Sequence, residues 1–253
     1  NVPRSTVEEV FTFIKQDLDK AIELFGTNNS IPAGRNRWSL AAANALKADV
    51  YLWTGKRLNG GNNDFNTAIA ACNEVAKADV SLLPNFADIF EYANKGNKEI
   101  IMAVGFKELE PSSGNMMFYN MYAAPDPTNT DPVNGEIIGV TSGAVVWTIT
   151  PLVMNQFSSD DTRKNPTFTL IPGIDWPPIL RKGRGIRTSG VRYFSSDFII
   201  YRYADVLLMK AEAKNALGQD PSAEINLVRQ RAYKDAYNNH IFVNGSKEQN
   251  DTA

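Results

Sequence analysis

Residues 198–233, FIIYRYADVLLMKAEAKNALGQDPSAEINLVRQRAY, read as two helices folded back on each other across one short turn. In the first helix Val206, Met209, Ala213 and Ala216 fall at helical spacing, which leaves Lys210, Lys214 and Asn215 for water. Gly218 is suited to stop that helix in a left-handed conformation. Asp220 and Pro221 then supply an N-cap and a first-turn proline for the second helix, whose apolar stripe is Ile225, Val228 and Ala232. Ala211 and Ala223, on either side of the turn, are small enough to let the helices approach closely.

The same plan recurs in residues 39–78, SLAAANALKADVYLWTGKRLNGGNNDFNTAIAACNEVAKA. Ala48 lies seven positions before Gly55, as Ala211 lies seven before Gly218, and the later helix opens at Asp64 with Ala68, Ile69, Cys72 and Val75 on one side. Here the turn carries RLNGGNN as an insertion. A repeated helix, turn, helix unit is the design of a tetratricopeptide (TPR) repeat, which buries its open face only against neighbours. The expected fold is therefore mainly α, with TPR-like hairpins and something inserted between them.

Outward from these hairpins, residues 5–25 predict a further helix with Val10, Phe11, Ile14, Leu18, Ala21, Ile22 and Phe25 as its apolar face and Thr6 and Glu9 at capping-box spacing. SLLPNFADIFEYANKGN predicts a short helix between Pro84 and Gly96, and Glu99 to Phe106 a strand. From 107 to 197 Gly, Pro, Asn, Asp and Ser dominate, with short candidate elements such as VVWTI and PLVMNQF. So long a stretch without strong periodicity is expected to be functional or a small irregular subdomain.

Composition narrows the function classes. With 43% hydrophobic and 21% charged residues over 253 positions, the chain can bury a substantial core. A net charge of -2 gives no footprint for nucleic acid or an anionic membrane. No apolar run is long enough to span a bilayer. The chain starts at Asn1 with neither an initiator Met nor a signal peptide, which predicts a processed form or an excised piece. One cysteine, Cys72, excludes an internal disulfide and a cysteine zinc site, and is expected to be buried in its helix. The one histidine, His240, is expected to be an exposed tail residue without a triad around it. No catalytic residue, metal ligand or cofactor is expected.

Chemistry-bearing clusters each have a structural alternative. Asp160 and Asp161 are adjacent, so they do not face each other across a substrate as glycosidase carboxylates do; with Arg163 they are expected to cap a turn and form a local ion pair. RKGRGIRTSGVR, residues 181–192, concentrates five basic residues around three glycines and could grip phosphate or an anionic sugar, though a solvated loop is the favoured reading. Trp38 and Trp53 flank the first repeat's helix as expected core. Trp147 and Trp176, with Tyr119 and Tyr122, lie in the 107–197 insert and are the candidate ligand-binding residues; Asn120, Asp126 and Asn129 are nearby hydroxyl partners or turn formers.

Five segments in order resemble the SusD/RagB family of outer-membrane nutrient-binding lipoproteins: GRNRWSLAAANALKADVYLWTG, DFNTAIAACNEVAKADVSLLPNFADIF, NKEIIMAVGF, SSDDTRKNPTF and DFIIYRYADVLLMKAEAKNALGQDPSAEINLVRQRA. They are similar to the family's approach to its second repeat, its "L-x-P-x-[YF]-x-D-x-F" run, its "x-E-I-I" strand, its "D-x-R" turn and its "R-x-A-[DE]-V-x-L-x-x-A-E-A-x-N" signature. The resemblance implies a SusD-like superhelix of helical hairpins, a scaffold at 5–95 and 198–237 and a loop-rich glycan-binding insert with short strands at 107–197, all in one domain fragment spanning 1–253. It further implies a non-catalytic protein of the outer-membrane surface that hands oligosaccharides to a SusC-like TonB-dependent transporter. Family members carry a lipidated N-terminal cysteine and an earlier helical region, and continue past the "V-R-x-R-A" helix. The sequence therefore reads as a central piece, with the lipid anchor outside it. The alternative is a TPR-type scaffold that binds a peptide or partner protein.

Overall fold

The computed structural model describes residues 3–107, 116–121, 128, 130, 135–137, 147–170 and 179–251. In chain order the elements are α1 (Val7–Phe25), α2 (Leu40–Arg57), α3 (Gly61–Val75), two 3-10 turns (Ala87–Phe90 and Tyr92–Asn94), β1 (Ile100–Val104), α4 (Met116–Met121), α5 (Pro151–Met154) and α6 (Lys164–Thr167). There follow β2 (Phe168–Thr169), β3 (Ile179–Leu180), β4 (Ile186–Thr188), β5 (Val191–Tyr193), β6 (Phe198–Arg202), α7 (Tyr203–Ala216), α8 (Ser222–Tyr233), a 3-10 turn at Lys234–Asn239 and α9 (Lys247–Asp251).

Helix α2 is central because it is alanine-rich on more than one face. Ala41, Ala42, Ala43, Ala45 and Ala48 are all 3% exposed or less, and α2 touches α1, α3, α7 and β1. Small side chains permit that many close neighbours. Ser39 caps it, its Oγ accepting the Ala42 N–H at 3.2 Å. The two hairpins, α2 with α3 and α7 with α8, stack through α3 and α7, so each repeat closes the other's apolar face in the TPR-like manner. The core between them holds Ala48, Ala71, Cys72, Val75, Ile101, Met102, Tyr201 and Val206.

Among the described residues the strands form three antiparallel pairs, β1 with β6, β2 with β3, and β4 with β5. The β1–β6 ribbon pairs Met102 with Tyr201 and Val104 with Phe198. It is bonded to α2 by the Tyr201 hydroxyl, which donates to Asp49 at 2.7 Å.

Local signals hold at the helix ends. Thr6 and Glu9 form a reciprocal capping box and Gly218 is left-handed at φ 70°, while Pro221, not Asp220, is the N-cap of α8, and Asp220 one residue earlier accepts the Ser222 N–H at 2.8 Å. Other expectations are corrected. Residues 198–202 are strand, so the signature hairpin starts at Tyr203. Gly55 does not end its helix; α2 continues to Arg57 and the turn is carried by Leu58 to Gly60. A Cβ at Gly55 would lie 2.6 Å from the Phe65 ring, so this glycine sets how closely α2 and α3 pack.

In the second hairpin Ala223 is exposed, and buried Glu224 meets α7 instead, taking Lys210 at 3.1 Å and Lys214 at 2.8 Å. Those lysines therefore do not simply face water. Asn215 is buried and donates to Asp251 at 2.7 Å, which fastens α9 to α7. Trp38 and Trp53 are 50% and 42% exposed, not core; Trp53 stacks on Phe11 at 4.5 Å. The expected α1 stripe is only half-covered, with Leu18 alone fully buried. Pro84 to Gly96 contains two 3-10 turns in place of a helix.

Candidate functional site

The site is built on one buried carboxylate. Glu99, fully buried just before β1, accepts Arg231 of α8 at 2.9 Å, Arg202 at the end of β6 at 3.2 Å and the Leu83 N–H at 2.8 Å. These bonds hold the start of β1, the β6–α7 junction, α8 and the segment leading to the 3-10 turns in one arrangement. Arg202 also meets Asp205 at 3.4 Å, and Asp205 accepts the Arg202 N–H at 3.1 Å.

Over this frame lies a cavity of about 220 Å³. Phe90 and Tyr92 of the 3-10 turns, Phe118 of α4 and Phe198 of β6 wall it, and Lys95, Lys182 and Arg202 reach it. Phe118 lies 6.5 Å from the Phe198 ring. It can lie so close to the chain because Gly183, left-handed at φ 78°, has no Cβ; one would sit 2.2 Å from the Phe118 ring. Lys95 pairs with Asp197 at 2.8 Å and lies 4.5 Å over the Tyr92 ring.

Lys182 is different. Its ammonium lies 4.9 Å over Phe86 and 4.9 Å over Phe90, with no hydrogen bond or ion pair to another described residue. Burial pushes its pKa down to about 8, nearby Arg202, Arg163 and Arg231 push the same way, and Asp205 opposes them.

The sequence candidates divide. Tyr119 is half-buried, its ring edge-on to Phe194 at 5.5 Å, so it acts as packing under α4. Trp147 is 51% exposed, and its backbone N–H donates to the Asn120 carbonyl at 3.2 Å, which ties its main chain to the same helix that lends Phe118 to the cavity. Trp176, Tyr122, Asp126 and Asn129 lie outside the described residues. Tyr119 thus lies on α4 and Trp147 is bonded to it, and the cavity adds Phe90 and Tyr92, which sequence reasoning missed, with Phe118 from the insert's aromatics and Lys182 from the 181–192 run. The 181–192 run held the one available signal, yet it reads as a solvated loop. Residues 188–191 are exposed, but two of the run's arginines are packed: Arg184 binds Glu91 and Glu136, each at 2.9 Å, and Arg192 binds the Ile137 carbonyl at 2.7 Å.

His240 is not an exposed tail residue. It stacks on Tyr233 at 3.6 Å, and its Nε2 lies 2.7 Å from Asp160. Ser158 donates to the same Asp160 at 2.6 Å. The carboxylate, not the imidazole, is therefore central, so the histidine is not placed to take the serine proton as in a hydrolytic triad. The Ser158 and His240 bonds hold Asp160 below the usual carboxylate range. Asp161 forms the expected local pair with Arg163 at 2.7 Å, and Thr162 joins this turn to α8 through the Ala232 carbonyl. Cys72 is buried and its thiol pushed up to about 12 by desolvation, which makes it a packing residue. Among the described residues no group of three or more His, Cys, Asp or Glu could hold a metal ion.

Residues 179–251 match the family model of the SusD family. A SusD-like protein of Bacteroides ovatus is 31% identical over 106 residues, 40% of this chain and 19% of that protein. Among solved structures, NanU of B. fragilis superposes with a TM-score of 0.80 at 34% identity, over 93% of this chain and 52% of that one. A structure determined with xylogluco-oligosaccharide gives a TM-score of 0.69 at 25% identity, over 88% of this chain and 49% of that one. The chain spans about half the length of these solved relatives.

Proposed function

We propose, from the match of residues 179–251 to the SusD family model and the likeness to solved relatives, that the chain is a SusD-family, non-catalytic surface glycan-binding protein that delivers oligosaccharides to a SusC-like TonB-dependent transporter of the outer membrane. In this reading the helical hairpins at 5–95 and 198–237 are scaffold, the 107–197 insert carries the glycan surface, and a lipid anchor outside this sequence attaches the protein to the membrane. No helix among the described residues is long and apolar enough to cross one.

The observation that carries the reading is the aromatic-walled cavity, with exposed Trp147 bonded to the helix that lends it Phe118, on a fold shared with a protein solved with an oligosaccharide. Sugars present apolar C–H faces and hydroxyl edges, so they suit flat rings interleaved with fixed polar groups. Phe90, Tyr92 and Phe118 supply rings; Asp205 and Arg202 supply polar groups held by their mutual ion pair. The same pairing argues for binding over hydrolysis, since Asp197 and Asp205 are engaged by Lys95 and Arg202.

A glycan array on the full-length mature protein, followed by calorimetry, tests the reading. Trp147→Ala is expected to weaken glycan binding by about 2 kcal/mol with little change in melting temperature, because the ring is half in solvent. Trp176→Ala and Tyr122→Ala, assayed beside it, test the remaining candidates. Unchanged affinity in Trp147→Ala removes that residue from the site. Peptide binding without any glycan binding establishes the TPR-type scaffold in place of the glycan reading.

A further inference from the structure

We propose that the cavity admits a single carboxylate, carried by an acidic sugar unit, and that Lys182 is its ion-pair partner. The proposal rests on the glycan-binding reading and names the class of sugar.

The charge around the cavity leads to it. Lys95 is matched by Asp197, and Arg184 by Glu91 and Glu136. Deeper in, Arg202 and Arg231 share Glu99, and Arg202 also takes Asp205. With Lys182 that inner group holds three cations against two carboxylates, so one positive charge is surplus. It resides on Lys182, which is held over the Phe86 and Phe90 rings and has no anion at bonding distance among the described residues.

An ammonium withdrawn from water without a carboxylate is costly, and aromatic faces replace its hydration only in part. Such a group is expected where a ligand completes it. One excess charge matches a carboxylate, whereas a phosphate dianion would reverse the imbalance. The ring-lined walls suit a pyranose next to that carboxylate. A volume near 220 Å³ is smaller than a drug-sized pocket, which fits one sugar unit and leaves the rest of an oligosaccharide to the surface near Trp147.

Calorimetry on the full chain would use galacturonate- and glucuronate-containing oligosaccharides beside their carboxyl-reduced counterparts, which keep the sugar and lose the charge. The acidic forms are expected to bind about tenfold more tightly than the reduced forms, as one charge-assisted contact warrants. Lys182→Met is expected to abolish that ratio, and Lys182→Arg to restore part of it. Equal binding of acidic and reduced forms overturns the carboxylate assignment and leaves the glycan reading standing, as does binding of neutral glycans alone. A preference that survives in Lys182→Met overturns the role of Lys182. Competition by inorganic phosphate that exceeds competition by acetate also overturns the assignment. Binding of no glycan on any arm overturns the glycan reading itself.

Discussion

Replacing Lys182 by methionine, in the absence of ligand, is expected to make the protein more stable. The folded chain holds this ammonium near pKa 8 against an ordinary 10.5, chiefly through burial. At about 1.4 kcal/mol per unit, that difference is a destabilisation of about 3 kcal/mol. The two phenyl faces act in the opposite sense, each worth about 1 kcal/mol to a partly desolvated cation, which brings the lower bound near 1 kcal/mol. Methionine keeps the stem over Phe86 and Phe90 and removes the charge. At pH 7 the variant should therefore gain about 1 to 3 kcal/mol in urea unfolding.

The sign of the pH dependence follows from the depressed value. Below pH 8 the amine is protonated in both states and the full cost is present; between pH 8 and 10.5 the unfolded chain binds more protons, so wild-type stability rises with pH. Above 10.5 both states are neutral and the variant's advantage disappears. The charges facing the amine are Arg202 and Asp205 at the β6–α7 junction, Arg231 on α8 and Arg163 before α6. Lys95 and Tyr92 line the same cavity, and titration common to both proteins cancels in the paired difference. Unfolding curves at pH 7 and pH 10.5 on both proteins decide the matter. A variant less stable than wild type at pH 7, or a gap of equal size at the two pH values, refutes the reasoning.

Glu99→Gln should lower stability by about 3 to 5 kcal/mol, because it leaves Arg231, whose side chain is 5% exposed, without its carboxylate; a loss under about 1 kcal/mol in the same unfolding assay would show that the triad does not organise the site. Gly55→Ala gains about 1 kcal/mol of helix propensity but sets a methyl 2.6 Å from the Phe65 ring, so a net loss of about 1 kcal/mol is expected from overpacking. A higher melting temperature for Gly55→Ala would contradict the close α2–α3 packing.

Helix ends were legible because capping is local. Thr6 with Glu9, and Asp220 with Ser222, are decided within three residues of chain. The Asp161–Arg163 pair was legible for the same reason. The hairpin repeat was legible because alanine-rich helical periodicity recurs in two pairs of segments that must stack. Local rules failed where a distant element intervened. Gly55 resembles a helix stop until Phe65 of the next helix fills the space its missing Cβ leaves. Residues 198–202 look like the start of a helix until β1, almost a hundred positions earlier, pairs with them.

By itself, then, the sequence determined the helical hairpins, their caps and the family resemblance, all of which rest on short-range periodicity and on motifs in order. The tertiary structure alone decided which charges are matched. Glu99 meets Arg202 across 103 positions and Arg231 across 132, and these pairings leave Lys182 at the cavity without an anion at bonding distance among the described residues. No spacing rule encodes that outcome, because an ion pair depends on where chain folding brings two side chains and on how much water it removes from between them.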